Sequence, residues 1–275
     1  MTTPAKSLLV HLDGSARAEV RLTLAHQFAA SSGARLSALF AVVPRYLPLL
    51  PLAGGVPSMP MGGQVDLDHR MHAMSVFERA RAASDQACQW LELNGEPVIE
   101  TFSHRALTAD LLFLGQRDPG DPEAFDVPAE FVASVLIGSG RPAFVVPYAG
   151  AASVAPKSVL LAWTPTRECA SAVTAALPFL KGASEVHLVA EAGEDSPAPA
   201  DVRQYLGLHG ISRVHEHARL SGRNAGDALL SRAADCGAQM IVMGCYGHSR
   251  ARELVLGGAT RTVLDSMTMP VLMAH

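Results

Sequence analysis

Met240-Ile-Val-Met-Gly-Cys-Tyr-Gly-His-Ser-Arg-Ala-Arg-Glu-Leu-Val-Leu-Gly-Gly-Ala-Thr260 reads as a strand, a turn and the beginning of a helix. The run Met240 to Met243 is continuous, apolar and closed by glycine, the pattern of a strand buried on both faces. Gly244 and Gly247 let the backbone turn through φ values that other residues avoid, and they leave its N–H groups uncovered. A Gly257-Gly258 pair follows after nine intervening residues. Uncovered N–H groups at the start of a helix attract anions, phosphate above all. One isolated glycine would signify only a tight turn. Glycines at these spacings, between a strand and a helix, favour a phosphate loop.

Working outward, the same unit occurs twice. Lys6-Ser-Leu-Leu-Val-His-Leu-Asp-Gly-Ser15 aligns without gaps to Lys157-Ser-Val-Leu-Leu-Ala-Trp-Thr-Pro-Thr166, and Phe28 falls opposite Phe179. Asp110-Leu-Leu-Phe-Leu-Gly115 corresponds to Gln239-Met-Ile-Val-Met-Gly244, and Arg141-Pro-Ala-Phe-Val-Val146 to Met269-Pro-Val-Leu-Met-Ala274. The chain divides into 1–150 and 151–275, joined near Tyr148 to Pro156, where Ala, Gly and Ser predominate. Short apolar strands alternate with helical stretches, which implies parallel strands joined by right-handed crossovers. In the second copy strands are expected near 158–163, 185–190, 212–217, 239–243 and 270–274. Helices are expected near 166–181, 199–209, 224–236 and 257–267, the third capped by Ser221 or Asn224 and ending at Gly237. The fold class is α/β, with two tandem doubly wound open parallel sheets.

The spacing GxxG, nine residues, then glycine and a small or hydroxyl residue resembles the nucleotide loop of universal stress proteins. Here its elements are Gly244, Gly247, Gly257 and Gly258, with Thr260 beyond, and Gly258 stands where that family usually has Ser or Thr. The closing segment Val263-Leu264 through Met273 is similar to the family's last helix and edge strand. The resemblance implies an adenine nucleotide alpha hydrolase-like fold binding ATP, with Mg2+ as a candidate companion ion. It points to nucleotide-binding residues Ala162, Trp163 and Thr164 at the end of the first strand and Val189 at the end of the second. From the loop it adds Gly244, Gly247, His248, Ser249, Arg250, Gly257, Gly258, Ala259 and Thr260. It also implies that the last strands, Ala143 to Val146 and Val271 to Ala274, pair in a pseudo-twofold arrangement, which would close both sheet edges.

The copies are not equally equipped. In the first, the loop reads Gly115-Gln-Arg-Asp-Pro-Gly-Asp-Pro-Glu-Ala-Phe-Asp-Val-Pro-Ala-Glu130, and Ala129-Glu130 replaces the glycine pair. Asp118, Asp121, Glu123 and Asp126 would repel a triphosphate, and Pro119, Pro122 and Pro128 remove N–H donors. A structural role is expected for this copy, which also reads as short between Val98 and Asp110. It keeps Asp13-Gly14-Ser15, where the resemblance puts a nucleoside-binding Asp; a turn or N-cap role serves Asp13 equally well. The second copy has Thr164 there, a single hydroxyl without the carboxylate's charge.

Composition excludes several classes. With 49% hydrophobic and 17% charged residues the chain is globular. A net charge of −4 gives no broad attraction for nucleic acid or anionic lipid. The N-terminus lacks the apolar core of a signal peptide, and no apolar run approaches the roughly 20 residues that cross a bilayer, so a cytoplasmic location is expected. Cys88, Cys169, Cys236 and Cys245 form no CxxC pair, which indicates neither a disulfide framework nor a zinc motif. Cys245 reads as accessible within the loop. His215-Glu-His217 places two imidazoles on one face of a strand, but a metal needs a further ligand, so a solvated strand edge is expected. His69 and His72 read as exposed. Pro44 to Gly63 contains five prolines (44, 48, 51, 57 and 60), which exclude a regular helix, and its Leu and Met residues suit packing over the first copy or a partner surface.

Two function classes stand open. One is an adenine-nucleotide-binding regulatory protein of the stress-response type, a homodimer or the partner of a regulatory protein. The other is a nucleotide-free scaffold in which the glycines only shape turns. Catalysis is disfavoured, because no Walker-type Lys-Ser/Thr or evident base accompanies the loop.

Overall fold

Among the described residues each half alternates five strands with four helices, because the inner strands are apolar on both faces and must be covered by helices. The computed structural model describes residues 5–43, 63–93, 97–150, 153–190, 199–218, 224–245 and 258–275. The first half runs β1 (Ser7–Leu12), α1 (Ala18–Ser32), β2 (Arg35–Phe40), α2 (Gly63–Ala82), β3 (Cys88–Glu92) and α3 (Val98–Ala106). It continues through β4 (Leu111–Gly115), a 3-10 turn (Pro122–Asp126), α4 (Phe131–Ser139) and β5 (Ala143–Val146). The second half repeats this as β6 (Ser158–Trp163), α5 (Arg167–Gly182), β7 (Glu185–Ala190), α6 (Pro199–Leu208) and β8 (Val214–Glu216). It closes with α7 (Ala225–Asp235), β9 (Met240–Gly244), α8 (Ala259–Ser266) and β10 (Val271–Ala274).

The strands make one ten-stranded sheet in the order β3-β2-β1-β4-β5-β10-β9-β6-β7-β8. Every neighbouring pair is parallel except β5–β10, which is antiparallel with Phe144 opposite Leu272. Phe144 and Leu272 are repeat equivalents, so the pseudo-twofold axis passes through that pair. Phe28 and Phe179, also equivalents, stack on each other with centroids 4.9 Å apart. Equivalent residues touching each other are the mark of a self-complementary contact made between two copies. The expected edge-to-edge pairing is therefore present within one chain.

Alternate residues of each strand feed two cores. Leu8, Val10, Val242 and Leu272 pack beneath α1, α2, α5 and α6, while Leu9, Leu160, Ile241 and Met273 pack beneath α3, α4, α7 and α8. Each fully buried Leu or Val contributes about 1.5–3 kcal/mol, which is why the central strands carry almost no polar residue. Thr166 caps α5 by accepting from Cys169 N at 3.2 Å. Gly237, at φ 59°, turns the chain after α7, as its position in the sequence implies.

Two expectations change. The first half does hold a helix between Val98 and Asp110, namely α3. Two and a half turns suffice there, with Pro97 fixing the entry and His104 and Arg105 in the last turn. Asn224 occupies the N-cap of α7 but makes no side-chain capping bond. Residues 44–62 lie outside the described residues. No helix among the described residues is long and apolar enough to cross a membrane.

Candidate functional site

In each half the chain winds away from the middle in both directions, and the reversal leaves a crevice beyond the carboxyl ends of two adjacent strands. The pairs are β1 with β4 and β6 with β9. In the second half Ala162 pairs with Met243 and Trp163 with Ala190, which puts Ala162, Trp163, Thr164 and Gly244 along one edge. Val189 lies beside Ala162 but is buried in the core, so its side chain packs and does not line an open wall. Gly258 sits at the N-cap of α8, followed by Ala259 and the buried Thr260. Among the described residues no side chain caps α8, which leaves the N–H groups of Ala259 and Thr260 for another acceptor. Gly247, His248, Ser249, Arg250 and Gly257 lie outside the described residues.

Gly244 also has a packing reason. A Cβ there would lie 2.5 Å from the backbone nitrogen of Cys169, so only glycine lets α5 begin this close to β9. Cys169 itself donates its thiol to Ala162 O at 3.2 Å.

In the first half the crevice forms a cavity of about 730 Å³. His11, Asp13 and Ser15 contribute from the end of β1, Gly115 and Gln116 from the end of β4, and the start of α4 from above. The far wall includes Gly258, Arg261, Leu264 and Asp265 of the other half. At its floor Asp13 Oδ1 accepts from Ser15 N at 3.1 Å and Ser15 Oγ at 2.6 Å, and it lies 3.0 Å from Arg21 Nη2. Arg21, only 2% exposed, donates from Nε to His11 O at 2.6 Å. A Cβ on Gly115 would strike Arg21 Nη1 at 2.0 Å, so glycine here admits a guanidinium. Burial alone would raise the Asp13 carboxyl, but Arg21, His11 and the Ser15 hydroxyl together bring it down to about 2. Asp13 is thus both a turn residue and half of a buried ion pair.

His11 lies between Phe131, at 4.4 Å between centroids, and Phe102, at 5.5 Å. Its Nε2 donates to Ala41 O at 2.8 Å, and burial pushes its pKa down to about 4, leaving it neutral near pH 7. Three carboxylates of the acidic loop are engaged by the protein itself. Asp118 Oδ1 accepts from Gly120 N at 2.9 Å, and Asp121 Oδ2 from Ala16 N at 3.3 Å. Asp126 is buried with its carboxylate against the His69 imidazole. His69 is therefore not exposed as expected: the missing Cβ of Gly14 makes room for its ring.

Two further sequence readings are corrected. Cys245 is buried and its thiol donates to Ala274 O at 3.3 Å, because the chain leaves β9 alongside β10 before reaching any open loop. His215 and His217 do share a face, but His217 is not merely solvated. Its Nε2 lies 2.8 Å from His187 Nδ1 and 3.5 Å from the Cys236 thiol. Parallel register, His187 opposite His215, is the signal that brings these residues together, and it requires the strand order to be known.

Residues 157–275 match the universal stress protein family model. That half is a universal stress protein domain. The whole chain resembles a universal stress protein from Archaeoglobus fulgidus DSM 4304, with a TM-score of 0.71 at 16% identity, covering 98% of this chain and 96% of that one. It also resembles a functionally unknown protein from Pseudomonas aeruginosa PAO1, with a TM-score of 0.63 at 14% identity, covering 98% and 92%. At these identities the likeness is one of fold, and it extends the tandem universal stress architecture over both halves. No protein in the curated set matches the chain significantly.

Proposed function

We propose that the protein is a regulatory universal stress protein that holds one adenine nucleotide, ATP, in its second half. The observation that carries this reading is the arrangement at that half's strand reversal. Thr164 and Gly244 flank the crevice, and α8 opens at Gly258 with no side-chain cap among the described residues, in the half that matches the family. Uncapped N–H groups at a helix start suit phosphate oxygens, and a glycine at the cap keeps the approach clear. Thr164 would meet the nucleoside, Gly258, Ala259 and Thr260 the phosphates, and Mg2+ would arrive on the phosphates. Gly247, His248, Ser249, Arg250 and Gly257 join the site on the sequence pattern. No catalytic residue is assigned.

The first half lacks the glycine pair, and its crevice is held by an internal ion pair with Asp118 and Glu130 at the rim. It serves the assembly of the sheet. Calorimetry with ATP should therefore give one site per chain, and Gly247→Val should abolish it. Two equivalent sites would assign nucleotide to both halves. No binding of any purine nucleotide would leave the scaffold reading.

A further inference from the structure

We propose that His187, His217 and Cys236 form a binding site for a Zn2+-class divalent ion, separate from the nucleotide crevice. The three residues come from three elements: β7, the turn after β8, and the C-terminal end of α7. Parallel pairing sets His187 opposite His215, so Glu185, His187, His215 and His217 project to one face of the sheet. α7 covers that face through Leu229 and Ala233, and its last turn delivers Cys236 over His217. The three potential ligand atoms lie within 4.8 Å of one another. The cluster lies at the β7–β8 edge of the sheet, away from the β6–β9 strand pair that bounds the crevice.

The geometry is close to what a tetrahedral ion needs. Zinc bonds of about 2.0–2.1 Å to nitrogen and about 2.3 Å to sulfur imply ligand separations of about 3.3 Å for N to N and about 3.6 Å for N to S. The observed separations are 2.8 Å between the imidazole nitrogens and 3.5 Å from His217 Nε2 to the thiol. Small side-chain rotations would open the first, which is now bridged by a single proton. Imidazole and thiolate together favour zinc over the hard, oxygen-seeking ions.

The surroundings supply an outer partner. His187 Nε2 is buried with no hydrogen-bond acceptor among the described residues, and Glu185 Oε1 is 3.7 Å away. When His187 Nδ1 turns its lone pair to the ion, its proton moves to Nε2 and faces that carboxylate, the usual way a protein fixes a ligating histidine. Cys236 loses its thiol proton to solvent as the metal–sulfur bond forms, so one proton is released per ion bound. Arg232 opposes the incoming charge, while Glu185 and Asp235 offset it. His187 is buried and the other two residues are half-buried, which leaves a fourth position for water and a path for entry.

Titrating Co2+ into the full chain tests this. One equivalent should bind, with ligand-field bands of a tetrahedral site and a thiolate-to-cobalt charge-transfer band, both displaced by Zn2+. Cys236→Ser should remove the charge-transfer band, whereas Cys88→Ser should leave it. Glu185→Gln should weaken zinc binding about 10–100-fold, as loss of such an outer partner does. Metal-free melting curves show whether Cys236→Ser is intact. If it is not, His217→Gln takes its place and should lower affinity without changing the metal-free melt. A chain that binds no Co2+, or a charge-transfer band that survives both substitutions, would overturn the site. Neither result depends on whether ATP binds.

Discussion

At the first strand reversal an Asp meets a buried Arg; at the second, a Thr has no charged partner among the described residues. In gapless alignment Asp13 falls opposite Thr164 and Arg21 opposite Ala172. Carboxylate and guanidinium are present together in one half and absent together in the other. The glycine ending the fourth strand is shared, but it makes room for different things. Gly115 admits the Arg21 guanidinium, whereas Gly244 admits the backbone of Cys169. The same strand pair is thus closed by a side chain in one half and by a closer helix in the other. A motif position can keep its residue type while its purpose changes: Gly115 makes room for the Arg21 side chain, and Gly244 for the start of α5.

The largest expected effect comes from splitting that pair. Asp13→Thr leaves Arg21 buried without its counter-charge and should cost about 3–5 kcal/mol of stability. Adding Arg21→Ala imports the second half's combination and should return a good part of it, a coupling measurable by a double-mutant cycle in urea. The same background should relieve Gly115→Ala, since the clash is with Arg21; Gly244→Ala gains no such relief, because its clash is with backbone. Additive single effects would show that the two residues do not act as a pair.

Acid should expose the same asymmetry. The folded value for His11, about 4, lies below its ordinary 6.5, so the unfolded chain binds more protons between those limits. Stability should then rise with pH across that window and be lost as pH falls from 6.5 to 4, by up to about 3 kcal/mol for one proton. Asp13, lowered from 3.8 to about 2, extends the loss to lower pH. His26 and His217, both lowered by burial first, add to the trend, so the diagnostic measurement is a difference. Denaturation of His11→Gln should show a shallower slope between pH 4 and 6.5 than the parent chain. The second half has Ala162 opposite His11, so that position adds no titrating group there.

What the sequence disclosed follows from how each feature is encoded. β6 and β7 begin and end where the apolar runs do, because continuous burial on both faces leaves no ambiguity of period. The β5–β10 junction was legible through the resemblance to universal stress proteins, which implies that the last strands pair, and pairing them closes two otherwise open edges. β8 came out shorter than its apolar-and-histidine pattern, since an edge strand is held from one side only. The Asp13–Arg21 pair was not legible: an arginine in an alanine-rich helix reads as surface, and only the gap at Gly115 shows where it goes. His217 was seen, but its partners His187 and Cys236 are distant in sequence and meet only through the register of two parallel strands and the last turn of α7.

The smallest expected effect is the most direct comparison of the two crevices for nucleotide. Thr164 is half-buried at the end of β6, and Ala172 offers no guanidinium to engage a carboxylate placed there. Thr164→Asp should therefore present a free carboxylate to ribose hydroxyls, which donate stronger bonds to a charged acceptor. One such bond is worth about 1.5–3 kcal/mol, offset by the cost of setting a carboxylate near the phosphates, so a gain of about tenfold in ATP affinity is expected. Asp13→Ala, assayed at a temperature where it remains folded, should leave ATP affinity unchanged. Titration calorimetry on the parent and both variants separates the cases. A large loss of affinity in Asp13→Ala would move the nucleotide into the first half's cavity, and the Asp13–Arg21 pair would then have to open to receive it.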